Sequence, residues 1–296
     1  MKDKFSLRAF QYSYGKDEQC LEAVKRLRFP DEMECPKCKR VAKFYKVTDR
    51  TSYACNFCGH HIYPLAGTIF EKSTTPLSYW FFAMYLMTQT RSGTSAKQLE
   101  RMLGVTYKTA WRMFKQIRML MAQSPSLLDG IVEIDETFMG GKGKNKAYVP
   151  NFNEIPKEVV MGIVKRKGEA YFKHIPNTGK WTLLQQIKEH VDPTARVMTD
   201  EYGSYAHLPK FGYQHDSVNH SRGTYVLGDV HNNTVEGFWS ILKRGVYGVY
   251  RVISKKYLQS YVDEYAHRYN HRGDKNMFDS LFKQVAEVKL LRLPLA

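Results

Sequence analysis

The sequence predicts an α/β chain: a small cysteine-bound β module, a helical segment, then a five-stranded mixed sheet flanked by helices. Three observations predict it. Two C-x-x-C pairs lie sixteen residues apart near the N-terminus. Apolar residues recur at helical spacing across 76–121. From 126 onward, short apolar or alternating runs are followed by helical patterns, in the order three strands, helix, strand, helix, strand, helix.

The 296 residues allow one large domain or two to three smaller ones, and a 43% hydrophobic composition supplies a core. No stretch approaches the roughly 20 apolar residues of a membrane span. The opening "MKDKFSLRAF" has no apolar leader. An intracellular location is therefore expected, in the cytoplasm or nucleoid of a bacterium or the nucleus of a eukaryote. The formal net charge of +16 is uneven, with +11 in residues 1–125 and +5 in the remainder. Such an excess fits a polyanionic partner, nucleic acid first, with a merely solubilising surface as the alternative.

The segments divide as 1–30 helical, 31–70 cysteine module, 71–125 helical, 126–273 sheet-containing, and 274–296 C-terminal tail. In the second segment, "CPKC" (Cys35, Cys38) and "CNFC" (Cys55, Cys58) have the spacing of two knuckles closing a tetrahedral zinc site. With "AKFYKV", "RTSYACN" and "CGHHIYPLAGTIF" as short strands, this is a zinc ribbon. Four thiolates leave no open position, so one structural Zn2+ per chain is expected, and His60 and His61 are not needed. Two disulfides are the alternative, disfavoured in an intracellular chain. Cys20 reads as a small buried residue.

"PLSYWFFAMYLMT" places a proline at the first helical position. Ser95 or Thr94 then caps a helix ending at Leu103, Gly104-Val105 makes a turn, and Thr106 caps a second helix to about Leu120. Leu99, Leu103, Val105, Ala110, Trp111 and Phe114 form one face. Tyr107, Lys108, Arg112, Lys115 and Arg118 are left on the other. This is a helix-turn-helix pattern whose second helix is the major-groove candidate; an ordinary basic helical hairpin is the alternative.

The remaining strands are "GIVEIDETFMG", "KEVVMGIVKR", "GEAYFKHIP", "ARVMTDE" and "YQHDSVNH", with the helix "TLLQQIKEHV" before the fourth. That order is the order of a ribonuclease-H-like domain, in which strands one and four are neighbours. Asp135 in strand one should then face Asp200 at the end of strand four. Two close carboxylates repel unless a cation lies between them. Glu236, on the helix "HNNTVEGFWSILKRGVYG", fits as a third acid. Lys243 lies two turns further on the same face, with Trp239 and Ser240. A solvated helix charge is the alternative for Lys243. Glu133 shares the strand face of Asp135 but lies two residues away. Glu136 and Glu201 point elsewhere and read as surface or loop acids. Asp229 and the run His231, Asn232, Asn233 read first as helix caps. Lys142, Lys144 and Lys146 form either a solvated loop or a DNA clamp.

The blocks "EIDETFMGGK", "MTDEYGSY", "HNNTVEGFWSILKRGVYGVY" and "EYAHRYNHR" resemble those of the Merlin superfamily of DDE transposases and its bacterial insertion-sequence relatives. The resemblance covers about residues 20–275, and the ribbon and helix-turn-helix match the family's N-terminal layout. It implies that Asp135, Asp200 and Glu236 are the catalytic triad and Lys243 the basic residue trailing it. Some bacterial relatives carry asparagine at the third position; this chain keeps an acid.

The chemistry implied is phosphodiester cleavage and joining with two Mg2+ or Mn2+ ions about 3.5–4 Å apart. One activates water and the other stabilises the leaving 3′ oxygen; the freed 3′-OH then attacks target DNA. The implied partners are double-stranded DNA, both terminal inverted repeats and target, and a second copy of the chain in a homodimer or larger synaptic assembly. Lys108, Arg112, Lys115, Arg118, Lys142, Lys144 and Arg244 are the candidate DNA contacts. A ribonuclease-H-like nuclease that does not join ends and a transposase-derived DNA-binding regulator are the other readings.

Overall fold

The chain builds two separate units. The computed structural model describes residues 5–124, 126–140, 157–218 and 231–287. One unit takes in the chain up to Thr90, Ala96–Leu120 and the chain from Gly273; the other takes in Arg91–Ser95 and Met121–Arg272.

The first unit begins with α1 (Leu7–Tyr14) and α2 (Asp17–Arg28). A four-stranded antiparallel sheet follows in the order β1-β2-β3-β4, formed by Glu32–Glu34, Val41–Lys46, Tyr53–Cys55 and His61–Ile62. The ribbon is thus borne out, with β1 added and the last strand cut to two residues. α2 holds it: Tyr53 donates to Glu22 at 2.8 Å and Arg28 to the Ala66 carbonyl at 2.6 Å. α3 (Leu77–Gln89) starts one residue after Pro76. It is apolar nearly all round, as a helix surrounded by protein must be, and Trp80, Phe81 and Met84 are fully buried.

α4 (Ala96–Leu103) and α5 (Tyr107–Leu120) flank Gly104, whose φ of +66° suits the left-handed turn that ends α4. Thr106 Oγ1 accepts from Thr109 N at 3.3 Å, capping α5. Leu99, Ala110 and Phe114 are buried as expected, while Trp111 is half-buried. Cys20 is wholly buried, as expected, and burial pushes its thiol up to about 12.

The second unit carries a sheet of order β7-β6-β5-β8-β9. Its strands are β5 (Ile131–Met139), β6 (Glu158–Lys165), β7 (Ala170–Ile175), β8 (Arg196–Thr199) and β9 (Gln214–Ser217). β5, β6 and β7 are antiparallel neighbours; β8 runs parallel to β5, and β9 parallel to β8. Strands one and four are therefore adjacent, the ribonuclease-H-like arrangement expected. α6 (Lys180–His190) covers one face with Leu183, Leu184 and Ile187. α7 (Asn233–Gly245) and α8 (Leu258–Asn270) cover the other with Val235, Phe238, Leu242, Val262 and Tyr265. Covering both faces explains why β6 reads "EVVMGIVK" without alternation. A last helix, α9 (Met277–Glu287), lies in the segment set apart as a tail and packs in the first unit. Its Phe278 and Phe282 meet Phe81 at 6.0 and 5.1 Å. No helix among the described residues is long and apolar enough to cross a membrane.

Candidate active site

The four thiols come from two knuckles of the same design. Lys39 N donates to Cys35 O at 2.9 Å, and Gly59 N to Cys55 O at 3.0 Å. Cys35 N and Cys55 N donate to Arg40 O and His60 O at 2.8 and 2.9 Å. Each knuckle closes on a left-handed residue, Lys39 (φ +59°) and Gly59 (φ +69°). All four sulfurs lie within 4.8 Å of one another, with Cys35–Cys58 at 3.6 Å and Cys38–Cys55 at 3.9 Å. Tetrahedral zinc with bonds of about 2.3 Å places its sulfurs about 3.8 Å apart. The donor set therefore fits zinc. His61 is engaged elsewhere, at 3.1 Å from Ser52 Oγ.

In the second unit, β5 pairs with β8 as far as Glu133 and Met198, and Asp135 and Asp200 each lie two residues beyond that pair. Asp200 follows β8 directly, and its carboxylate accepts from Tyr202 N at 2.9 Å, which turns the chain away from the sheet. α7 crosses the same face. Its Trp239 Nε1 donates to Asp135 Oδ2 at 2.9 Å. Trp239 can sit there because its neighbour on β6, opposite Asp135, is Gly162. A Cβ at 162 would meet Trp239 Cζ2 at 2.8 Å and Phe172 Cε1 at 2.9 Å. Gly162 is a supporting residue that sequence reasoning missed; a glycine inside an otherwise apolar strand was its signal.

Glu236 is exposed on α7; its backbone N–H donates to Asn232 O at 3.1 Å, and its carboxylate has no hydrogen bond or ion pair among the described residues. Burial raises the Asp135 carboxyl to about 6; the Trp239 and Glu136 N–H donors oppose this, and the nearby charges of Asp200 and Glu236 add to it. Asp200 and Glu236 are thus near enough for their charges to bear on Asp135. Among the described residues only the four thiols have all their ligand atoms within 4.8 Å, so the carboxylates stand further apart. Acids that repel one another, one of them on an unengaged side chain, suit a divalent cation. Lys243 is half-buried on the Glu236 face of α7.

Of the neighbouring acids, Glu136 differs from expectation. Glu136 points to the opposite sheet face, as its parity requires, but it is not a surface acid. Burial pushes it up to about 8, and the buried Tyr205 hydroxyl donates to it. Glu133 does share the face of Asp135, and it is wholly buried at the start of α7. Glu201 is exposed, as expected.

Of the candidate DNA contacts, Lys108 and Arg112 are exposed on α5. Lys115 is half-buried with its ammonium 5.5 Å from the Trp111 ring centre. Arg118 must be corrected: it is buried, with its guanidinium 5.8 Å from the Phe114 ring centre. The last turn of α5 is enclosed, so its helical spacing did not mark a solvent face. Arg244 is exposed, and its Nε donates to Ser240 O at 3.2 Å. Lys142, Lys144, Lys146 and Asp229 lie outside the described residues.

Residues 15–61 match the family described as a transposase zinc-ribbon domain, and residues 127–270 that described as an ISXO2-like transposase domain. The chain is similar to "Uncharacterized protein in transposable element ISH50" of Halobacterium salinarum. The two are 28% identical over 269 residues, 84% of this chain and 90% of that protein. Among solved structures it aligns with the cryo-EM structure of the simian T-cell lymphotropic virus intasome in complex with PP2A regulatory subunit B56 gamma. That match has 10% identity over 63% of this chain and 64% of the other, at a TM-score of 0.30, too slight to carry an argument.

Proposed function

We infer from the matches to a transposase zinc ribbon and an ISXO2-like transposase domain that the chain is an insertion-sequence transposase. From that premise we propose that it binds the terminal inverted repeats of its element, cuts at their ends, and joins the 3′-OH ends to target DNA. The observation that carries this reading is that Trp239 of α7, the helix of Glu236, is hydrogen-bonded to Asp135 of β5, with the charges of Glu236 and Asp200 bearing on Asp135.

In this reading Asp135 and Asp200 would hold divalent cations, Mg2+ or Mn2+, with Glu236 completing the set. Held there, they would supply the positive charge that activates water and stabilises a leaving 3′ oxygen. The Trp239 N–H holds Asp135 in the orientation that faces Asp200. Lys243 meets a DNA phosphate beside the acids. Lys108 and Arg112 on α5 meet the terminal repeat, and Arg244 meets the backbone near the cut. The four-thiol zinc folds the ribbon and takes no part in the chemistry. Two ends must be brought together, so a homodimer or larger assembly on DNA is part of the proposal, as is an intracellular location.

The test is a pre-cut element end with a free 3′-OH, incubated with supercoiled target DNA and Mg2+. Joined product is expected. Cleavage of uncut ends without joining would favour the nuclease reading, and binding without either would favour the regulator.

A further inference from the structure

Glu133 is 0% exposed on the helix-covered face of β5, two residues before Asp135. An isolated carboxylate there would be costly; this one is fully engaged. Arg166 Nε lies at 2.6 Å and His231 Nδ1 at 3.3 Å. Thr234 contributes its backbone N–H at 2.8 Å and its hydroxyl at 2.8 Å, and Val235 its N–H at 3.2 Å. Arg166 also donates to the His231 carbonyl at 2.8 Å.

Thr234 and Val235 are the second and third residues of α7. Their N–H groups are among those a helix start leaves without partners, the ones an N-cap side chain ordinarily takes. Asn232, in the N-cap position, makes no such bond. Glu133 makes it instead, from the strand, and its negative charge suits the positive end of the helix. Asn232 serves another attachment: with its amide oxygen toward β8, it accepts from Asp200 N at 3.1 Å. The first turn of α7 is therefore anchored to the strand of Asp135 and to the residue Asp200. Glu236 is the next residue along that turn.

We propose that Glu133 is a positioning residue for the metal site: it holds the start of α7 so that Glu236 emerges within reach of Asp135 and Asp200. The proposal rests on Glu236 being a metal ligand. A purely structural ion pair with Arg166 would set the stability of the fold and leave metal affinity in the folded protein unchanged.

The test is Mn2+ binding by the full-length zinc-loaded protein, measured from the electron paramagnetic resonance signal of free Mn2+ without DNA. Glu133→Gln should weaken binding roughly 10- to 100-fold, the usual range for residues that orient ligands, with zinc content unchanged. Thr234→Ala keeps the buried ion pair and removes one bond to Glu133; it should weaken binding less, in the same direction. If Glu133→Gln does not fold, Thr234→Ala alone decides. Glu236→Gln separates the premise from the proposal. Wild-type Mn2+ affinity in the Glu133 and Thr234 variants, beside weakened binding in Glu236→Gln, would overturn the positioning role alone. Wild-type affinity in Glu236→Gln would overturn the ligand assignment and the positioning role with it.

Discussion

Trp239 and Asp135 are joined by a 2.9 Å hydrogen bond from indole N–H to carboxylate, which ties the helix carrying Glu236 to the strand carrying the first acid. Trp239→Phe keeps an aromatic side chain, though a smaller one, and removes the donor. The Asp135 pKa should rise further, because a bond favouring its ionised form is lost. Divalent-metal affinity should fall about tenfold at pH 6.5, and the deficit should narrow above pH 8. Calorimetric metal titrations at the two pH values check this. Gly162→Ala should disturb the same contact from behind and lower stability by about 1–3 kcal/mol in urea.

The raised acids also fix a pH dependence of stability. Asp135 titrates at about 6 and Glu136 at about 8 when folded, against 3.8 and 4.5 ordinarily. Between those values the folded chain holds protons that the unfolded chain has released. Without divalent metal, stability should therefore be fullest below pH 4 as far as these two groups go, and decline up to about pH 8. In zinc-loaded protein without added divalent metal, Asp135→Asn should remove the decline from pH 4 to 6, and Glu136→Gln should flatten it up to pH 8. Urea midpoints across pH 4–9 measure both, and a wild-type profile that both variants leave unchanged would count against the buried-acid account.

On α5, exposure separates residues that the sequence pattern groups together. Lys108→Ala and Arg112→Ala should weaken terminal-repeat binding, each phosphate contact lowering the salt slope by about one. Arg118→Ala should instead destabilise the first unit by about 2–4 kcal/mol, as loss of a buried, packed cation does. Fluorescence anisotropy at several salt concentrations and thermal melting distinguish the two.

Purified protein should carry one zinc per chain. Cys35→Ser with Cys38→Ser should abolish it and unfold the ribbon, because metal binding is most of the folding energy of so small a module. Metal analysis and amide hydrogen exchange across residues 31–66 test this; active protein without zinc would refute it.

The acids proposed for the site were singled out by local signals. Asp135 interrupts an apolar strand, Asp200 ends another, and Glu236 and Lys243 share one helix face. The four cysteines were legible from spacing alone. What lay hidden depends on elements far apart in the chain. Parity put Glu133 on the right face, but nothing near it in sequence showed that residues 234–235 would cap against it. Glu136 meets Tyr205, which is sixty-nine residues away. Arg118 was misplaced because helical periodicity marks one buried face, whereas the end of α5 is enclosed on more than one.

If Asp135, Asp200 and Glu236 form one metal-dependent site for cutting DNA, each of the three is essential to nicking. The most direct measurement is nicking of a duplex carrying the element's end, with Mg2+ or Mn2+, by Asp135→Ala, Asp200→Ala and Glu236→Ala beside wild type. Wild type should nick only with metal, and all three variants should be inactive while binding the terminal repeat as wild type does. Nicking by Glu236→Ala at the wild-type rate, with Asp135 and Asp200 still essential, would contradict the account.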